Sequence, residues 1–315
     1  MFIFFDTETT GINAAFDQIL QFAAILTDEQ FKEIDRFEIR CQLLPWVVPS
    51  PTALLVTRTP VSLLTDKSLP TFFEMMSAIH KKLNAWSPAT YIGYNSLSFD
   101  EQFLHRAFWQ TLHPPYITVT NNNKRCDLLP MMRVASHFFP DSFVWPRKGD
   151  GKVTLKLDQL APLNGFNHAN AHDALNDVEA TIFLAKMVSV QLPDLWSALL
   201  NRSAKAESAS VALSDKPVLV FESTKGKCSA WFGQNVERDR IGTPSQTFIA
   251  KLGYDWRRIG VGGMAIKGED VQKNTRLIAF NKAPTVFTQE EAEQIFGLEP
   301  SNEEQSQSLF LNSDA

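Results

Sequence analysis

The stretch FIFFDTETTG (residues 2–11) decides the fold, because an unbroken apolar run leads directly into acidic residues and a turn. An apolar run of this kind is typical of a strand buried on both faces. Asp6 and Glu8 are two residues apart, so on a strand their side chains point to the same side. An isolated D-x-E pair is more often two surface acids beside a turn. Here the preceding apolar run places both carboxylates at the carboxyl edge of a buried strand, where open sheets bind ligands.

Outward from this strand, the sequence predicts a three-stranded antiparallel meander followed by alternating helices and strands. Strands are expected at 2–5, 19–27, 37–44 and 91–93, and helices at 71–83, 99–112, 128–138, 155–160 and 173–188. This order indicates an α/β fold class, with a mixed sheet and helices packed on its faces.

Asp100 is predicted in the first turn of a helix. Ser98 and Glu101 form an S-x-x-E pattern, which favours a capping box at that helix start. A Gly-x-Asn turn at 93–95 precedes it and would direct the Asp100 carboxylate towards the sheet edge. Taken alone, an acid at this position is more often there to stabilise the helix dipole.

The segment NAHDALND (residues 170–177) combines a titratable base just before a helix with a carboxylate one turn inside it. His172 can accept a proton near neutral pH. A lone histidine at a helix start is more often a capping or hydrogen-bonding group. Asp173 and Asp177 share one helix face, and we expect Asp177 to bind metal and Asp173 to cap the helix.

Together these residues fit phosphodiester hydrolysis. Two cations about 3.5–4 Å apart can clamp the attacking and leaving oxygens, and holding them takes three or four converging carboxylates. Such hard oxygen ligands favour magnesium or manganese over zinc. We therefore predict Asp6, Glu8, Asp100 and Asp177 as metal ligands, with His172 and Glu8 in catalytic roles.

Length and composition set the broad class of protein. A chain of 315 residues with 44% apolar and 21% charged residues predicts one large and one smaller globular domain. No apolar run approaches the roughly 18 residues of a membrane span, and the amino terminus lacks the basic start of a secretory signal. The three cysteines match no zinc spacing or disulfide scheme, so we expect a cytoplasmic protein.

The domain organisation follows from changes in composition. We predict a nuclease domain over 1–200, a helical connector over 201–215, a small basic β-barrel domain over 216–300 and a disordered tail over 301–315. The net charge of the chain is −5, yet residues 216–288 contain twelve Lys or Arg against six Asp or Glu.

Basic and aromatic residues alternate in this third segment, a mixture that single-strand binders use for phosphate contact and base stacking. The residues are Lys225, Lys227, Arg238, Arg240, Arg257 and Arg258, with Trp231, Phe232 and Trp256. The other interpretation is that the aromatic side chains fill the barrel core, and we expect this of at least two of the three.

The acidic motifs resemble those of the DEDDh exonucleases in order and approximate spacing. Within that group, the likeness to bacterial exonuclease I is closer, through QFAAI (21–25), IGYN (92–95) with Phe99-Asp100, DLL (127–129) with Met132-Arg133, and NAHDALNDV (170–178). The resemblance covers nearly all of 1–200 and continues more faintly through the basic segment. It implies an RNase H-like exonuclease fold followed by a smaller SH3-like β-barrel.

The resemblance also implies an activity. The family degrades single-stranded DNA from the 3′ end, releases 5′-mononucleotides and requires Mg²⁺, two ions per active site, for which Mn²⁺ can substitute. By position, His172 is the general base, and Tyr116, Arg133 and Lys156 fall along the DNA path. Without the family, Tyr116 would be a core tyrosine and the other two solvated charges. The family further implies a single-strand-binding protein as partner, and we expect a monomer that does not contact a membrane.

Two departures from the family pattern matter. Thr7 replaces the family's usual aromatic residue between the first two carboxylates, and the sequence stops where the family continues into a helical domain. That domain helps to close a ring around the strand, so we expect weaker processivity. A trap-challenged single-turnover assay that shows long uninterrupted runs would contradict this expectation.

Three other functions remain open from the sequence. A 3′–5′ exoribonuclease could use the same catalytic group, because this centre does not itself reject a 2′-hydroxyl. A polymerase-associated proofreading exonuclease would resemble the chain only in its nuclease part. A nucleic-acid-binding scaffold without activity would be expected to lack at least one ligand, whereas all five catalytic positions are filled.

Overall fold

The structure is a computed structural model that describes residues 1–167, 173–224, 227–236, 245–254, 256 and 268–313. The chain divides into two compact units. The first comprises Met1–Met132 and Phe139–Leu192, and the second Arg133–Phe138 and Pro193–Ala315. The first unit thus ends eight residues before the predicted limit at residue 200, since the helix that begins at Pro193 groups with the second unit.

The first unit is built on a five-stranded mixed sheet. Its elements are β1 (Phe2–Thr9), β2 (Ile19–Thr27), β3 (Glu33–Arg40), α1 (Pro51–Thr57), α2 (Val61–Leu64), α3 (Phe72–Trp86), β4 (Thr90–Gly93), α4 (Asp100–Gln110), β5 (Lys124–Asp127), the start of α5 (Leu128–Phe138), α6 (Leu157–Leu163) and α7 (Ala174–Gln191). The strand order is β3-β2-β1-β4-β5; β1 pairs antiparallel with β2 and parallel with β4. The predicted meander and mixed sheet are confirmed.

Burial follows the position of each strand in the sheet. The central strand β1 is almost wholly buried and β2 entirely so, as their continuous apolar sequences predict. The edge strand β3 alternates exposed and partly buried residues and is rich in charge, which protects a free edge from pairing with other chains. β3 begins at Glu33, four residues before the predicted start, and the polar sequence of its first half is why the prediction missed those residues.

The two faces of the sheet are covered by different helices. Ile3 and Phe5 belong to a core cluster with residues of α3 and α4. Because side chains alternate along a strand, Phe4, Asp6 and Glu8 point to the opposite face. There α7 packs against β1 and β2. This layering brings the start of α7 to the two acids of β1.

The helix that carries Asp100 begins where predicted, but its predicted capping box is wrong. Phe99, not Ser98, occupies the N-cap position, and no side chain caps the helix there. The Glu101 carboxylate instead accepts hydrogen bonds from Thr118 and Arg125. These partners come from later in the chain, so the local pattern could not reveal them.

The second unit contains a five-stranded antiparallel sheet of order β10-β6-β7-β8-β9. Its elements are α8 (Pro193–Asn201), α9 (Lys205–Ala212), β6 (Val218–Thr224), β7 (Lys227–Asn235), β8 (Gln246–Lys251), α10 (Gly268–Asn274), β9 (Thr275–Ala279), β10 (Val286–Phe287), α11 (Gln289–Phe296) and α12 (Asn302–Ser313). The curled sheet is the arrangement expected of an SH3-like domain. Trp231, Phe232 and Trp256 are all buried, and Trp231 belongs to the core cluster of this sheet. Phe232 follows Trp231 on β7 and therefore points to the opposite face.

The prediction of a disordered tail over 301–315 is wrong for residues 302–313, because they form α12. Two of its polar side chains form hydrogen bonds with other elements of the second unit. Ser308 donates a hydrogen bond to the buried Gln234 side chain (2.7 Å), and the Gln307 side chain accepts one from the Gly253 backbone (2.6 Å). These contacts satisfy polar groups that would otherwise be buried without partners, and so favour an ordered helix.

None of the helices in the described ranges is long and apolar enough to span a bilayer.

Candidate active site

Three carboxylates converge at the end of the central strand. Asp6, Glu8 and Asp177 each place one carboxylate oxygen within 4.8 Å of those of the other two, in the part of the chain that the structure describes. Asp6 and Glu8 lie on the same side of β1, and Asp177 lies in the first turn of α7, which packs over that side. The strand and the helix together therefore create a cluster of three acids.

The electrostatics of this cluster are those of buried acids that repel one another. Burial, followed by the charges of Asp100, Asp177 and Glu8, raises the pKa of Asp6 well above its usual value. Burial and the Asp177 charge raise the pKa of Glu8 to about 8. Without a cation, the charged form of the cluster is disfavoured, because burial removes solvation and each acid repels the next.

Asp100 lies beside this cluster and is held by Thr7. The backbone N–H and the hydroxyl of Thr7 both donate hydrogen bonds to Asp100 Oδ1, at 3.0 and 2.7 Å. Burial raises the pKa of Asp100 to about 7, although the Thr7 bonds oppose the shift. Asp100 is not a member of the 4.8 Å cluster, but its charge contributes to the raised pKa values of both Asp6 and Glu8.

The turn between β4 and α4 explains how Asp100 reaches this place. A side chain at Gly93 would collide with that of Ser96 and approach the Phe5 carbonyl oxygen to 3.2 Å, so the turn needs glycine. Asn95 adopts a left-handed conformation (φ 67°), which asparagine tolerates better than most residues. Its N–H donates to the Asp127 carboxylate at the end of β5 (2.8 Å). The turn is thus tied to the neighbouring parallel strand.

Asp173 does not act as the cap that we predicted. It occupies the N-cap position of α7 by its backbone, but its side chain makes no capping hydrogen bond. Its carboxylate instead accepts hydrogen bonds from Arg40 (2.7 Å) and Gln21 (3.2 Å). The side-chain oxygen of Gln21 accepts the Ala174 N–H (3.4 Å), so a residue of β2 provides the cap.

The other predicted residues fall into two groups, those outside the described residues and those whose exposure the structure describes. His172 lies outside the described residues, as do Lys225, Arg238, Arg240, Arg257 and Arg258. Tyr116 is 58% exposed, which rules out a core tyrosine. Lys156 is exposed at the N-cap of α6, Lys227 is exposed on β7, and Arg133 is partly buried on α5. Their contact with nucleic acid remains a prediction.

Sequence reasoning missed four residues that support the acids, namely Thr7, Gln21, Arg40 and Asp127. For Asp127 the sequence signal was its place in the DLL motif (127–129) of the family resemblance, although β5, the strand that it ends, was not predicted. Gln21 is a polar residue within an otherwise apolar strand and is fully buried, which is a second signal. Thr7 and Arg40 depend on partners about a hundred residues away and left no local pattern.

The donor set fits a hard divalent cation. Three carboxylates close together supply the oxygen ligands that Mg²⁺ and Mn²⁺ prefer. A cation bound among them would relieve the repulsion that raises the pKa values of Asp6 and Glu8. Burial of the site beside the end of a parallel strand pair also matches where sheets of this kind bind ligands.

Comparisons with known proteins agree with this geometry. The exodeoxyribonuclease I of Escherichia coli is 35% identical over 238 residues, which is 74% of this chain and 49% of the relative. The enzyme of the same name from Buchnera aphidicola is 34% identical over 210 residues, covering 65% of this chain and 43% of the relative. The chain therefore spans about half the length of the first relative and less than half that of the second.

A solved structure extends the comparison to the fold. The crystal structure of E. coli exonuclease I in complex with a dA16 oligonucleotide superposes with a TM-score of 0.77 at 25% identity, covering 100% of this chain and 70% of that chain. This likeness confirms the fold class predicted for both parts of the chain. The model of the exonuclease family named RNase_T matches residues 3–185, which include all four acids. The chain belongs to this exonuclease family.

Proposed function

We propose that the chain is a 3′–5′ exonuclease that hydrolyses single-stranded DNA and releases 5′-mononucleotides. The observation that carries the proposal is the convergence of Asp6, Glu8 and Asp177 at the end of the central strand of an exonuclease-family fold. The relatives named exodeoxyribonuclease I, and a similar structure bound to a dA16 oligonucleotide, support DNA as the substrate.

Two Mg²⁺ ions are the proposed cofactors, with Mn²⁺ as a substitute. Asp6, Glu8, Asp100 and Asp177 would hold them, since three of these acids form one cluster and the fourth adds its charge to it. Divalent cations bound there supply an activated water and positive charge that offsets the negative charge developing on the phosphoryl group. The two hydrogen bonds from Thr7 to Asp100 Oδ1 fix the orientation of this carboxylate.

The remaining chemistry is assigned to residues of the chain. We assign the general base to His172, as the family resemblance implies; a base with a pKa near neutrality is suited to take the proton of an attacking water. Glu8 has a pKa raised to about 8 in the absence of a cation, so it is mostly protonated at pH 7, and a bound cation would favour its carboxylate form. This coupling links catalytic competence to cofactor binding.

A groove beside α4, the helix that begins at Asp100, offers a path for the strand. It has a volume of about 580 Å³ and is lined by Ile12–Ala15 together with Gln102 and Arg106 of α4. Ile12 and Arg106 are both exposed, and this pairing of an apolar and a cationic side chain suits a base and a phosphate. We add Tyr116, Arg133 and Lys156 as further contacts to the strand, on the family resemblance.

The setting of the activity is part of the same proposal. The three cysteines are free thiols, two of them buried, which suits a reducing compartment such as the cytoplasm. We propose a monomer, with a single-strand-binding protein as partner on the family resemblance.

The experiment that tests the proposal is digestion of end-labelled oligonucleotides. We expect Mg²⁺-dependent release of mononucleotides from the 3′ end of single-stranded DNA, at least about tenfold faster than from duplex DNA or RNA of the same sequence, with no release in a chelator. Faster cleavage of the RNA oligomer would replace the proposal by an exoribonuclease. Absence of cleavage in every arm would reject nuclease activity.

The Thr7 hydroxyl gives a separate prediction. Thr7→Val keeps the backbone hydrogen bond to Asp100 but removes the one from the hydroxyl (2.7 Å), so Asp100 should be held less firmly. A hydrogen bond to a charged group contributes roughly 1.5–3 kcal/mol, and we expect kcat to fall about tenfold. Steady-state kinetics on a single-stranded oligomer measure this. Thr7→Ser, which retains the hydroxyl, should stay within about twofold of the natural chain; equal losses in both variants would contradict the role of this bond.

A further inference from the structure

The start of α7 is fixed to the sheet by a group of polar side chains that the proposed chemistry does not use. Arg40 of β3 and Gln21 of β2 both donate to Asp173 Oδ2, at 2.7 and 3.2 Å. Gln21 also accepts the Ala174 N–H at 3.4 Å. We call Gln21, Arg40 and Asp173 the α7 anchor.

The α7 anchor adjoins the acidic cluster in two places, once on the sheet and once on the helix. Gln21 is fully buried and lies directly opposite Glu8 in the pairing of β1 with β2. On the helix, the Asp177 N–H donates to the Asp173 carbonyl oxygen (3.0 Å), so Asp177 lies one turn beyond the anchored residue. The α7 anchor thus joins β2, which pairs with β1 at Glu8, to the first turn of α7, which carries Asp177.

Arg40 contributes a charge as well as a contact. Its side chain is 28% exposed, and its positive charge acts against the rise in the pKa of Glu8. Arg40 also lies 3.8 Å from Glu38, which accepts a hydrogen bond from Gln21 (2.8 Å). The arginine therefore balances two acids of the sheet and helix while it remains close to the cluster.

We propose that Arg40, through Asp173, is a positioning residue that sets the distance between Asp177 and the Asp6–Glu8 pair. The inference rests on the proposed function, since that distance matters for a site that binds cations. Supporting residues of this kind commonly change metal affinity or activity by 10–100-fold when they are removed. Arg40 itself is not assigned to cation or substrate contact.

Two effects of removing Arg40 have opposite signs, which makes the proposal testable. If Arg40 acted only through its charge, its loss would leave more net negative charge near the cluster and tighten cation binding. If it positions the start of α7, its loss weakens cation binding, because Asp177 is no longer held against the other two acids. We expect weaker binding.

The chain offers a matched control on the same strand. Arg36 of β3 also pairs with an acid of α7, Glu179, at 3.1 Å, but that pair lies further along the helix, beyond Asp177. Arg36→Met removes a contact of the same chemical kind between the same two elements. It should leave cation binding unchanged.

The experiment compares Arg40→Met, Arg40→Lys and Arg36→Met in the full-length chain. Mn²⁺ binding is followed by the electron paramagnetic resonance signal of the free ion, and kcat and KM are measured on a single-stranded DNA oligomer. For Arg40→Met we expect Mn²⁺ binding about tenfold weaker and kcat about tenfold lower, with KM changed by less than about twofold. Arg40→Lys should recover most of both, because it keeps the ion pair.

The opposite results would overturn the inference. Binding of Mn²⁺ by Arg40→Met that is equal to or tighter than in the natural chain would do so, as would an equal loss in Arg36→Met. If thermal melting finds Arg40→Met unfolded, Asp173→Asn tests the same pair from the helix side, and unchanged Mn²⁺ binding there is equally decisive. If the natural chain binds Mn²⁺, and this binding is weakened by Arg40→Met but not by Arg36→Met, while the chain cleaves no nucleic acid, the proposed function is rejected and this inference stands.

Discussion

Asp6→Asn is expected to lower kcat/KM for cleavage of single-stranded DNA by about 10³-fold or more. The substitution removes one of three converging carboxylates, and bound cations contribute several kcal/mol of stabilisation to a transition state of this kind. A loss of about 4 kcal/mol corresponds to a factor of about 10³. Single-turnover kinetics on an end-labelled oligomer measure the effect.

The same substitution should stabilise the fold while it removes the activity. In the chelated protein, Asp6 is a buried acid surrounded by the charges of Asp100, Asp177 and Glu8, so a neutral amide relieves repulsion. We expect the melting temperature of Asp6→Asn in a chelator to exceed that of the natural chain. Asp66→Asn is the control, because that carboxylate lies in a surface turn and accepts hydrogen bonds from Ser68, one of them from its backbone N–H (2.8 Å). Retained activity in Asp6→Asn would end the case for this cluster as the catalytic site.

Magnesium affinity is expected to rise at least about tenfold between pH 6 and pH 8.5. In the absence of a cation, burial raises the pKa of Glu8 to about 8 and that of Asp100 to about 7. Below these values a cation must displace protons from its ligands, so each unit of pH alters the apparent affinity by up to about tenfold per displaced proton. Isothermal titration in buffers of different ionisation enthalpy measures both the affinity and the number of protons released.

The stability of the chelated protein should change with pH in the opposite sense. In the unfolded chain these acids lose their protons near pH 4, whereas in the folded chain Asp100 and Glu8 retain theirs until about pH 7 and 8. The stabilisation that comes from the raised pKa values of Asp100 and Glu8 is therefore fully present below about pH 4, and it is lost as the pH rises through 7 and 8. We expect a loss of about 2 kcal/mol or more between pH 5 and 8.5, or roughly 4–8 °C in Tm.

Two comparisons isolate this effect from other titrations. Glu8→Gln should show a smaller decline in Tm over the same pH range, because one of the shifted acids is gone. Saturating Mg²⁺ should remove most of the decline in the natural chain, since a bound cation favours the charged carboxylates. A natural chain whose melting temperature in a chelator is flat or rising from pH 5 to 8.5 would show that the acids are not held as the structure describes.

Much of the first unit was predictable because its signals are local. The apolar run at Phe2–Phe5 predicts a buried strand, and the two-residue spacing of Asp6 and Glu8 places both acids on one side of it. The helical period after Ala174 predicts α7 and puts Asp177 in its first turn. Each of these inferences needs only the geometry of one element.

The errors arose where a residue's partner lies in another element. Glu101 fitted a capping box by spacing but bonds to Thr118 and Arg125 instead. Residues 302–313 have the composition of a disordered tail but form α12, whose Ser308 bonds to the buried Gln234. Local propensity is a weak guide in such cases, because a buried polar partner contributes more to the outcome than the intrinsic preference does.

By itself, the sequence determined most strands and helices of the first unit, though not β5, α1 or α2, and which side chains of one element share a face, since both follow from the periodicity of single elements. Only the tertiary structure decided how close Asp177 comes to Asp6 and Glu8, which oxygen of Asp100 Thr7 holds, and that Arg40 binds Asp173. The physical reason is that these contacts join residues about 90 to 170 positions apart in the chain. Their distances are set by how the helices pack on the sheet, and no spacing within one element encodes that packing.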